Sequence, residues 1–294
     1  MNEFAPESLR AGCKINISLR IVGKRADGYH ELDSVFCPVL CPADKLHLSM
    51  GQGQGLHLRF SGLGAEKIDC QHNTVSKAYT AFSAATGYSP PLHLHVEKAI
   101  PSGAGLGGGS SDAASLLLWL NKHAPQALSP AALAAVALGI GADVPFFLYN
   151  RPCRVRGIGE QLLPCTVEAL YGKSLVLLCP PVHVATALAY QAWDALPQKK
   201  SCAKSLTTFQ NGAKHTNSCG DYLVNDFERA IFPQYPQLAA LKQSLLQQGA
   251  YAAVMSGSGS SIAGFFASQA KAEAAAQSFA DVNVFLQHDF LVGV

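Results

Sequence analysis

The chain has 294 residues, of which 49% are hydrophobic and only 14% are charged, and its formal net charge is +2. A chain of this length and composition can bury a large core, so one or two folded domains are expected and a largely disordered chain is excluded. The small net charge provides no strong attraction to nucleic acid or to a membrane surface, and we expect neither as a partner.

The cysteines and the N-terminus indicate the compartment. The nine cysteines are an odd number and form no C-x-x-C pair. Cys37 and Cys41 are close in sequence, but no second pair completes a zinc set, so reduced thiols of a cytoplasmic protein are expected. The N-terminus carries Glu3 and Glu7 and no apolar h-region, so no signal peptide is predicted. The longest apolar run, residues 131–142, is too short to span a bilayer.

Alternating apolar and polar residues predict the first strand over residues 14–22. Because strand side chains have a period of two, Lys14 and Asn16 share one face. On the residues alone, the favoured interpretation of this face is that solvent covers it. Glycine and proline punctuate three further predicted strands, which cover residues 32–39, 45–50 and 56–60.

The segment between the first two strands contains a turn signal, Asp27-Gly28. Taken alone, it predicts a hairpin tip with Tyr29 and His30 exposed. Further along, Asn73 is predicted to cap an alanine-rich helix that runs to about Thr86.

A strand over residues 92–96 follows, with His93 and His95 on one face. A metal site would need a third ligand that the sequence does not identify. Solvated or packed histidines are therefore the favoured interpretation of this pair.

A glycine-rich loop follows this strand. Gly103, Gly105 and residues 107–109 provide five glycines within seven residues, and Ser110 and Ser111 come next. The apolar run that follows predicts a buried helix. Glycine lets the backbone approach a ligand and turn its N–H groups inward, and the helix N-terminus adds partial positive charge. A loop of this kind between a strand and a helix is typical of a phosphate site, and a plain flexible turn is the alternative.

Three well-known loops fit less well. A Walker A loop ends in Gly-Lys-Ser/Thr, whereas Ser110 follows the last glycine here. The dinucleotide pattern G-x-G-x-x-G is met literally, but no acid for the ribose lies between Asp112 and Asp143. A protein-kinase loop would need a valine where Ser110 stands, and a His-Arg-Asp motif that the chain lacks.

The segment after the loop helix contains an isolated acid. Ser129 is predicted to cap a helix that runs to about residue 138, and Gly-Ala-Asp-Val-Pro follows. Its Asp143 is the only carboxylate between Asp112 and Glu160. An isolated carboxylate in so apolar a stretch is costly to bury unless it is paired or functional, so it is a candidate site residue, with a structural cap as the alternative.

The remainder of the chain predicts a mixture of strands and helices. Residues 199–220 are polar and predict a loop, and residues 256–261 form a second glycine-serine turn. Predicted strands cover residues 173–179, 251–255, 262–266 and 282–286, and predicted helices cover residues 185–196, 236–248 and 269–279.

The run Gly-Leu-Gly-Gly-Gly-Ser-Ser-Asp-Ala-Ala, which begins at Gly105, resembles the phosphate loop of the GHMP small-molecule kinases. Motifs similar to those of the family occur in family order at residues 25–32, 101–114, 141–147 and 256–260. The resemblance implies the two-domain α/β (α+β) GHMP kinase fold, with the active site between the domains. Residues 1–163 would resemble ribosomal protein S5 domain 2, and residues 164–294 would be ferredoxin-like.

The resemblance implies phosphorylation of a small-molecule hydroxyl by ATP and Mg²⁺. Asp143 would be the catalytic base, and Lys14 would keep it ionised and stabilise the developing alkoxide. Ser110 or Ser111 could be a Mg²⁺ ligand, although no metal ligand is certain. The residues expected to bind ATP are Asn73, Lys98, Pro101, Ser102, Gly103, Ala104, Gly105, Leu106, Gly107, Gly108, Gly109, Ser110 and Ser111.

The motif Arg-x-Asp-Gly-Tyr-His resembles a branch of the family whose substrate carries a cytidine diphosphate. Tyr29 and His30 would recognise the cytosine, one by stacking and one by hydrogen bonding to the base edge. Thr186 and Tyr190 match a threonine and an aromatic residue beside the cytidine, although Ala187 replaces the usual proline. Asn16 would help to orient the substrate.

Other functions stay open on the sequence. If the chain were a GHMP kinase for homoserine, mevalonate or a sugar, its substrate would have no base to stack on Tyr29 or Tyr190. A nucleotide-binding protein without catalysis would not need both Lys14 and Asp143. A Rossmann dehydrogenase is the least favoured, and the oligomeric state is not predicted.

Overall fold

The structure is a computed structural model that describes residues 5–197 and 223–293. It has the mixed α/β composition expected from the sequence. The predicted loop over residues 199–220 lies outside the described residues. The chain divides into two compact units. Unit 1 comprises Met1–Cys13, Pro42–Ser102 and Gly107–Asn150, and unit 2 comprises Lys14–Cys41, Gly103–Leu106 and Arg151–Val294.

The strands of unit 1 follow the order β3–β4–β2–β1. Strand β2 pairs antiparallel with β4, with Lys45 opposite Glu97, and β3 pairs parallel with β4. The two long strands, β1 and β2, continue into unit 2. The bounds are β1 (Glu7–Lys24), β2 (His30–Met50), β3 (Leu56–Gly62) and β4 (Leu92–Lys98).

Three helix starts in unit 1 have a local cause. The Asn73 side chain accepts a hydrogen bond from the backbone N–H of Ser76, as the sequence predicted, and Ser129 caps the third helix in the same way. The second helix begins after Gly107, whose φ of 71° suits glycine. The bounds are α1 (Thr74–Thr86), α2 (Gly108–His123), α3 (Pro130–Ile140) and α4 (Val144–Tyr149).

Unit 2 contains the second half of β1 and the first half of β2, which flank the predicted site. Strand β5 pairs antiparallel with β2, and β8 pairs parallel with β1, with Ser18 opposite Val224. A separate antiparallel sheet has the order β11–β7–β10–β9. The bounds are β5 (Cys153–Gly157), β6 (Gln161–Pro164), β7 (Ser174–Cys179), β8 (Val224–Asn225), β9 (Ala252–Met255), β10 (Ile262–Phe266) and β11 (Asn283–Gln287).

The helices of unit 2 cover the second sheet around an apolar cluster that includes Trp193, Phe227 and Leu245. Burial of these large side chains is the main stabilising contribution to this unit. The bounds are α5 (Thr186–Asp194), α6 (Phe227–Ile231), α7 (Pro236–Gln247) and α8 (Gln269–Gln277). In the part of the chain that the structure describes, no helix is both long and apolar enough to cross a membrane.

The expected break between residues 39 and 45 is wrong. Residues 30–50 form one strand, although Pro38 and Pro42 lack an N–H for a sheet hydrogen bond. The Gln287 side chain accepts the N–H groups of Leu40 at 2.8 Å and Cys41 at 3.4 Å. A distant side chain therefore satisfies the backbone at the point where the prolines predicted an end.

Candidate active site

Lys14 and Asn16 form a buried polar pair on strand β1. The strand period places both side chains on one face, and Lys14 Nζ donates to Asn16 Oδ1 at 2.7 Å. Lys14 is 4% exposed and Asn16 is 2% exposed, so this face is not covered by solvent. The Asn16 amide donates to Ser34 Oγ at 3.0 Å, and the ammonium lies 4.6 Å from the centroid of the Phe36 ring. Both side chains are therefore held before any ligand binds.

Backbone contacts join this pair to the glycine loop. The N–H of Lys14 donates to the Leu106 carbonyl at 2.9 Å, and the N–H of Asn16 donates to Ser256 Oγ at 3.2 Å. Ser256 Oγ in turn donates to the Gly105 carbonyl at 3.0 Å. The strand, the loop and the second glycine-serine turn thus meet at one place within unit 2.

Glycine is required at position 105 for two reasons. Its φ is +77°, and a Cβ atom there would lie 2.3 Å from the Ser256 carbonyl oxygen. A Cβ atom at Gly103, whose φ is +68°, would lie 2.2 Å from Nδ1 of His183. The side chains of Ala104 and Leu106 are buried, so this half of the loop offers its backbone to a ligand.

The second half of the loop leads into helix α2 in unit 1. The first turn of α2 has no side-chain cap, so the N–H groups of residues 108–110 are available for an anion. Thr74 Oγ1 donates to the Gly109 carbonyl at 2.7 Å and orients this turn. Ser110 is half-buried and Ser111 is buried. Pro101 is half-buried and Ser102 is exposed before the glycines.

Lys98 lies in a buried ion cluster with Asp44 and Asp112. Its ammonium donates to Asp112 Oδ2 at 2.6 Å and also to Asp44 Oδ2. Burial alone would lower the pKa of Lys98, but the charges of the two carboxylates outweigh this effect and raise it. Burial raises the pKa of Asp112 to about 7 against the opposing charge of Lys98.

Asp44 connects this cluster to the beginning of the loop. Its Oδ1 accepts the N–H groups of Ala99 at 2.6 Å and Ile100 at 2.9 Å. Asp112 lies in the first two turns of α2. The cluster therefore joins the end of β4, the start of the loop segment and the loop helix within unit 1.

His30, Tyr190 and Asp194 form a cluster in unit 2. The His30 ring stacks on Tyr190 with centroids 4.5 Å apart and planes at 15°. His30 Nε2 lies 2.9 Å from Asp194 Oδ1, and Lys24 Nζ donates to Asp194 Oδ2 at 2.5 Å. Tyr29 is 61% exposed, as the turn signal predicted, whereas His30 is only 8% exposed and not exposed as the turn alone predicted.

The remaining predicted residues have these positions. Thr186 begins α5, and its hydroxyl lies 3.1 Å from Ser258 Oγ. Asp143 precedes α4, is half-buried, and makes no side-chain cap bond to that helix. Asn73 uses its side-chain oxygen to cap α1, so the capping interpretation is confirmed. The structure brings Lys14 together with Asn16, and His30 together with Tyr190.

Sequence reasoning missed three acids. Asp44 and Asp112 contact Lys98, and Asp194 contacts His30. Each contact joins distant positions, so spacing along the chain gives no signal for it. Asp112 does carry a signal of the same kind as Asp143, since its carboxylate also lies next to a long apolar run.

Two family models match this chain. The model described as GHMP kinases N terminal domain matches residues 73–151, which include the second half of the glycine loop. The model described as GHMP kinases C terminal matches residues 203–284, which include the second glycine-serine turn. Together with the α/β fold and the glycine loop beside a buried lysine, these matches define a GHMP kinase, so the expected fold is confirmed.

Proteins named 4-diphosphocytidyl-2-C-methyl-D-erythritol kinase resemble the chain over most of its length. The one from Lawsonia intracellularis is 44% identical over 88% of this chain and 88% of its own. The one from Nitratidesulfovibrio vulgaris (strain DP4) is 43% identical over 96% of this chain and 98% of its own. The chain belongs to the 4-diphosphocytidyl-2-C-methyl-D-erythritol kinase family of GHMP kinases.

Solved structures agree with this assignment. A crystal structure of 4-(cytidine 5'-diphospho)-2C-methyl-D-erythritol kinase is 29% identical, with a TM-score of 0.75, covering 96% of this chain and 99% of that one. A homoserine kinase from Cytophaga hutchinsonii is 18% identical, with a TM-score of 0.70, covering 98% of this chain and 95% of that one. The similarity to the homoserine kinase shows a shared fold alone.

Proposed function

We propose that this protein transfers the γ-phosphoryl group of ATP to the 2-hydroxyl of 4-diphosphocytidyl-2-C-methyl-D-erythritol, in the non-mevalonate isoprenoid precursor pathway. The products are the 2-phosphate and ADP. The observation that carries this proposal is the buried Lys14–Asn16 pair, hydrogen-bonded beside the glycine loop. The names of the relatives support the choice of substrate.

The glycine loop is the proposed phosphate site. An anion with several oxygens fits this loop for two reasons. The backbone at Gly103 and Gly105 can approach a ligand closely, and the N-terminus of α2 is uncapped. Pro101, Ser102 and residues 104–111 would line the same phosphates. Phosphoryl transfer is mostly positioning and charge stabilisation, so a preformed cradle contributes directly to the rate.

Asp143 and Lys14 are the proposed catalytic residues. Asp143 would accept the proton of the substrate hydroxyl as the phosphoryl group is transferred. Lys14 would stabilise the alkoxide that develops, because its ammonium is already oriented by Asn16 and shielded from water. Asn16 would orient the substrate through the same network.

Mg²⁺ is the proposed metal, and hard hydroxyl oxygens at the start of α2 fit it. Ser110 or Ser111 would hold the ion, and it would neutralise charge on the phosphates. Among the described residues no group of three or more His, Cys, Asp or Glu could hold a metal. In the usual Mg²⁺ site, one or two protein ligands join substrate phosphates and water.

The cytidine would be recognised at the His30 cluster. One face of Tyr190 is covered by His30, and its ring packs edge-on against Phe227. Tyr29 has an exposed ring, so we assign the base stacking to Tyr29 and the base edge to His30. Thr186 would complete the pocket.

Asn73 and Lys98 are proposed near the nucleotide, Lys98 through the buried cluster described above. The domain boundary at residues 163 and 164 and a cytoplasmic location remain predictions. The cysteines among the described residues are all free, which suits a reducing compartment.

The test is conversion of ATP to ADP with Mg²⁺, with product phosphorylation followed by mass. The acceptors are the diphosphocytidyl compound, its base-free phosphate analogue, mevalonate and homoserine. Turnover of only the cytidine compound is expected. Turnover of a base-free acceptor would refute the base pocket, and ATP binding without turnover would favour the non-catalytic alternative.

The catalytic pair is tested by substitution. Asp143→Asn should lower kcat by about 10²–10⁴-fold, the usual contribution of a general base, and Lys14→Ala should also lower kcat strongly. Lys122→Ala, at the exposed end of α2, is the matched control and should leave kcat unchanged. Near-wild-type turnover by both folded site variants would refute the mechanism.

A further inference from the structure

The His30 imidazole is held from two directions by residues outside the proposed reaction centre. Tyr190 covers one ring face, with centroids 4.5 Å apart. Asp194 Oδ1 lies 2.9 Å from Nε2 at the ring edge. A stacked face and a fixed edge together prevent the ring from turning, so a base would meet His30 at its remaining edge.

The contact with Asp194 fixes where the ring proton lies. An ionised carboxylate only accepts hydrogen bonds, so the nitrogen that faces it, Nε2, carries the hydrogen. In the neutral imidazole the other nitrogen, Nδ1, then has a lone pair and acts as an acceptor. Within residues 5–197 and 223–293, no hydrogen bond involves Nδ1 of His30.

Asp194 is itself held in place by a cation. Lys24 Nζ donates to Oδ2, while Oδ1 faces His30. The carboxylate therefore uses one oxygen for each partner. The lysine keeps the carboxylate oriented, and among the described residues no hydrogen bond joins Lys24 to the imidazole.

We propose that Asp194 is a specificity-determining positioning residue, which makes His30 Nδ1 an acceptor and so selects cytosine over uracil. The inference rests on the proposed function, since it requires the base to meet His30. Cytosine presents an exocyclic amine, which donates to an acceptor. Uracil presents a carbonyl at the same place, and two lone pairs would then face each other without a hydrogen bond.

The test compares the cytidine substrate with its uridine counterpart at pH 8. Asp194→Asn keeps the shape of the side chain, but its amide can either accept from Nε2 or donate to it, so the proton is no longer fixed. The ratio of kcat/KM for the two substrates should fall by about tenfold or more, which is the usual effect of one hydrogen bond to a buried group. Glu66→Gln, the same carboxylate-to-amide change at an exposed position of unit 1, is the matched control and should keep the ratio.

A spectroscopic readout separates this role from a purely structural one. Nitrogen-15 NMR of the free protein should show His30 with its proton on Nε2, assigned by loss of the signal in His30→Gln. In Asp194→Asn the signal should shift towards a mixture of tautomers. A proton on Nδ1 in the wild-type protein would overturn the proposal.

Two kinetic outcomes would also overturn the proposed role of Asp194, and only one of them would refute the proposed function as well. An unchanged substrate ratio in Asp194→Asn, despite a shifted tautomer and normal turnover of the cytidine compound, would refute the specificity role alone. Wild-type protein that phosphorylated neither nucleotide compound would refute the proposed function, and the specificity role with it.

Discussion

Replacement of Lys98 by methionine should destabilise the protein strongly. The change removes the cation between Asp44 and Asp112 and leaves two buried carboxylates facing each other. Breaking a buried ion pair by removing one partner costs about 3–5 kcal/mol. The lower end of this range applies to Lys98→Met, because Asp44 still accepts hydrogen bonds from the N–H groups of Ala99 and Ile100. A loss of about 3 kcal/mol corresponds to a melting temperature lower by roughly 10 °C.

The assay is thermal unfolding followed by circular dichroism, with ATP affinity measured in parallel. Adding Asp112→Asn to Lys98→Met should recover part of the loss, because the new amide can donate to Asp44 where the ammonium did. Lys67→Met, an exposed lysine in unit 1, is the control and should melt like the wild type. A normal melting temperature with weakened ATP binding would refute this reasoning and assign Lys98 to direct nucleotide contact.

Two other predictions follow from the same geometry. Gly105→Ala should lower activity by at least tenfold and destabilise the protein by more than about 1 kcal/mol, since it combines a left-handed φ with a clash on the Ser256 carbonyl. Gly139→Ala, with open space around its Cβ, is the control and should be neutral or slightly stabilising. If the two variants had equal effects in kinetic and melting assays, the steric explanation would be contradicted. Burial raises the pKa of the Cys179 thiol to about 11, so its thiolate is scarce at pH 8, and iodoacetamide followed by peptide mass mapping should label exposed Cys70 first; equal labelling of the native protein would contradict this expectation.

Local signals predicted much of the fold. The capped start and the end of α1 agree with the sequence, because the Asn73 cap and the absence of glycine before residue 87 are local features. The shared face of Lys14 and Asn16 follows from strand periodicity alone. The continuation of β2 past its prolines could not be predicted, because it depends on Gln287, more than 240 positions away.

Prediction of the candidate site from sequence is limited in the same way, to features that lie close together along the chain. The glycine loop could be predicted because its chemistry lies in consecutive residues. The partners of His30 and Lys98 could not, because Asp194 is 164 positions from His30 and Asp44 is 54 positions from Lys98. Sequence patterns identify groups that act, whereas the groups that orient them are determined by tertiary contacts.

The hydrogen bond between Asn16 and Ser256 has a consequence for biosynthesis. The two residues are 240 positions apart, so the support for the loop forms only when most of the chain has left the ribosome. Contacts at such separation form late, since a long loop must close first. A nascent chain or fragment that stops before residue 256 would contain every glycine of the phosphate loop without the serine that holds Gly105. ATP should therefore protect the finished chain from proteolysis and leave such fragments unprotected.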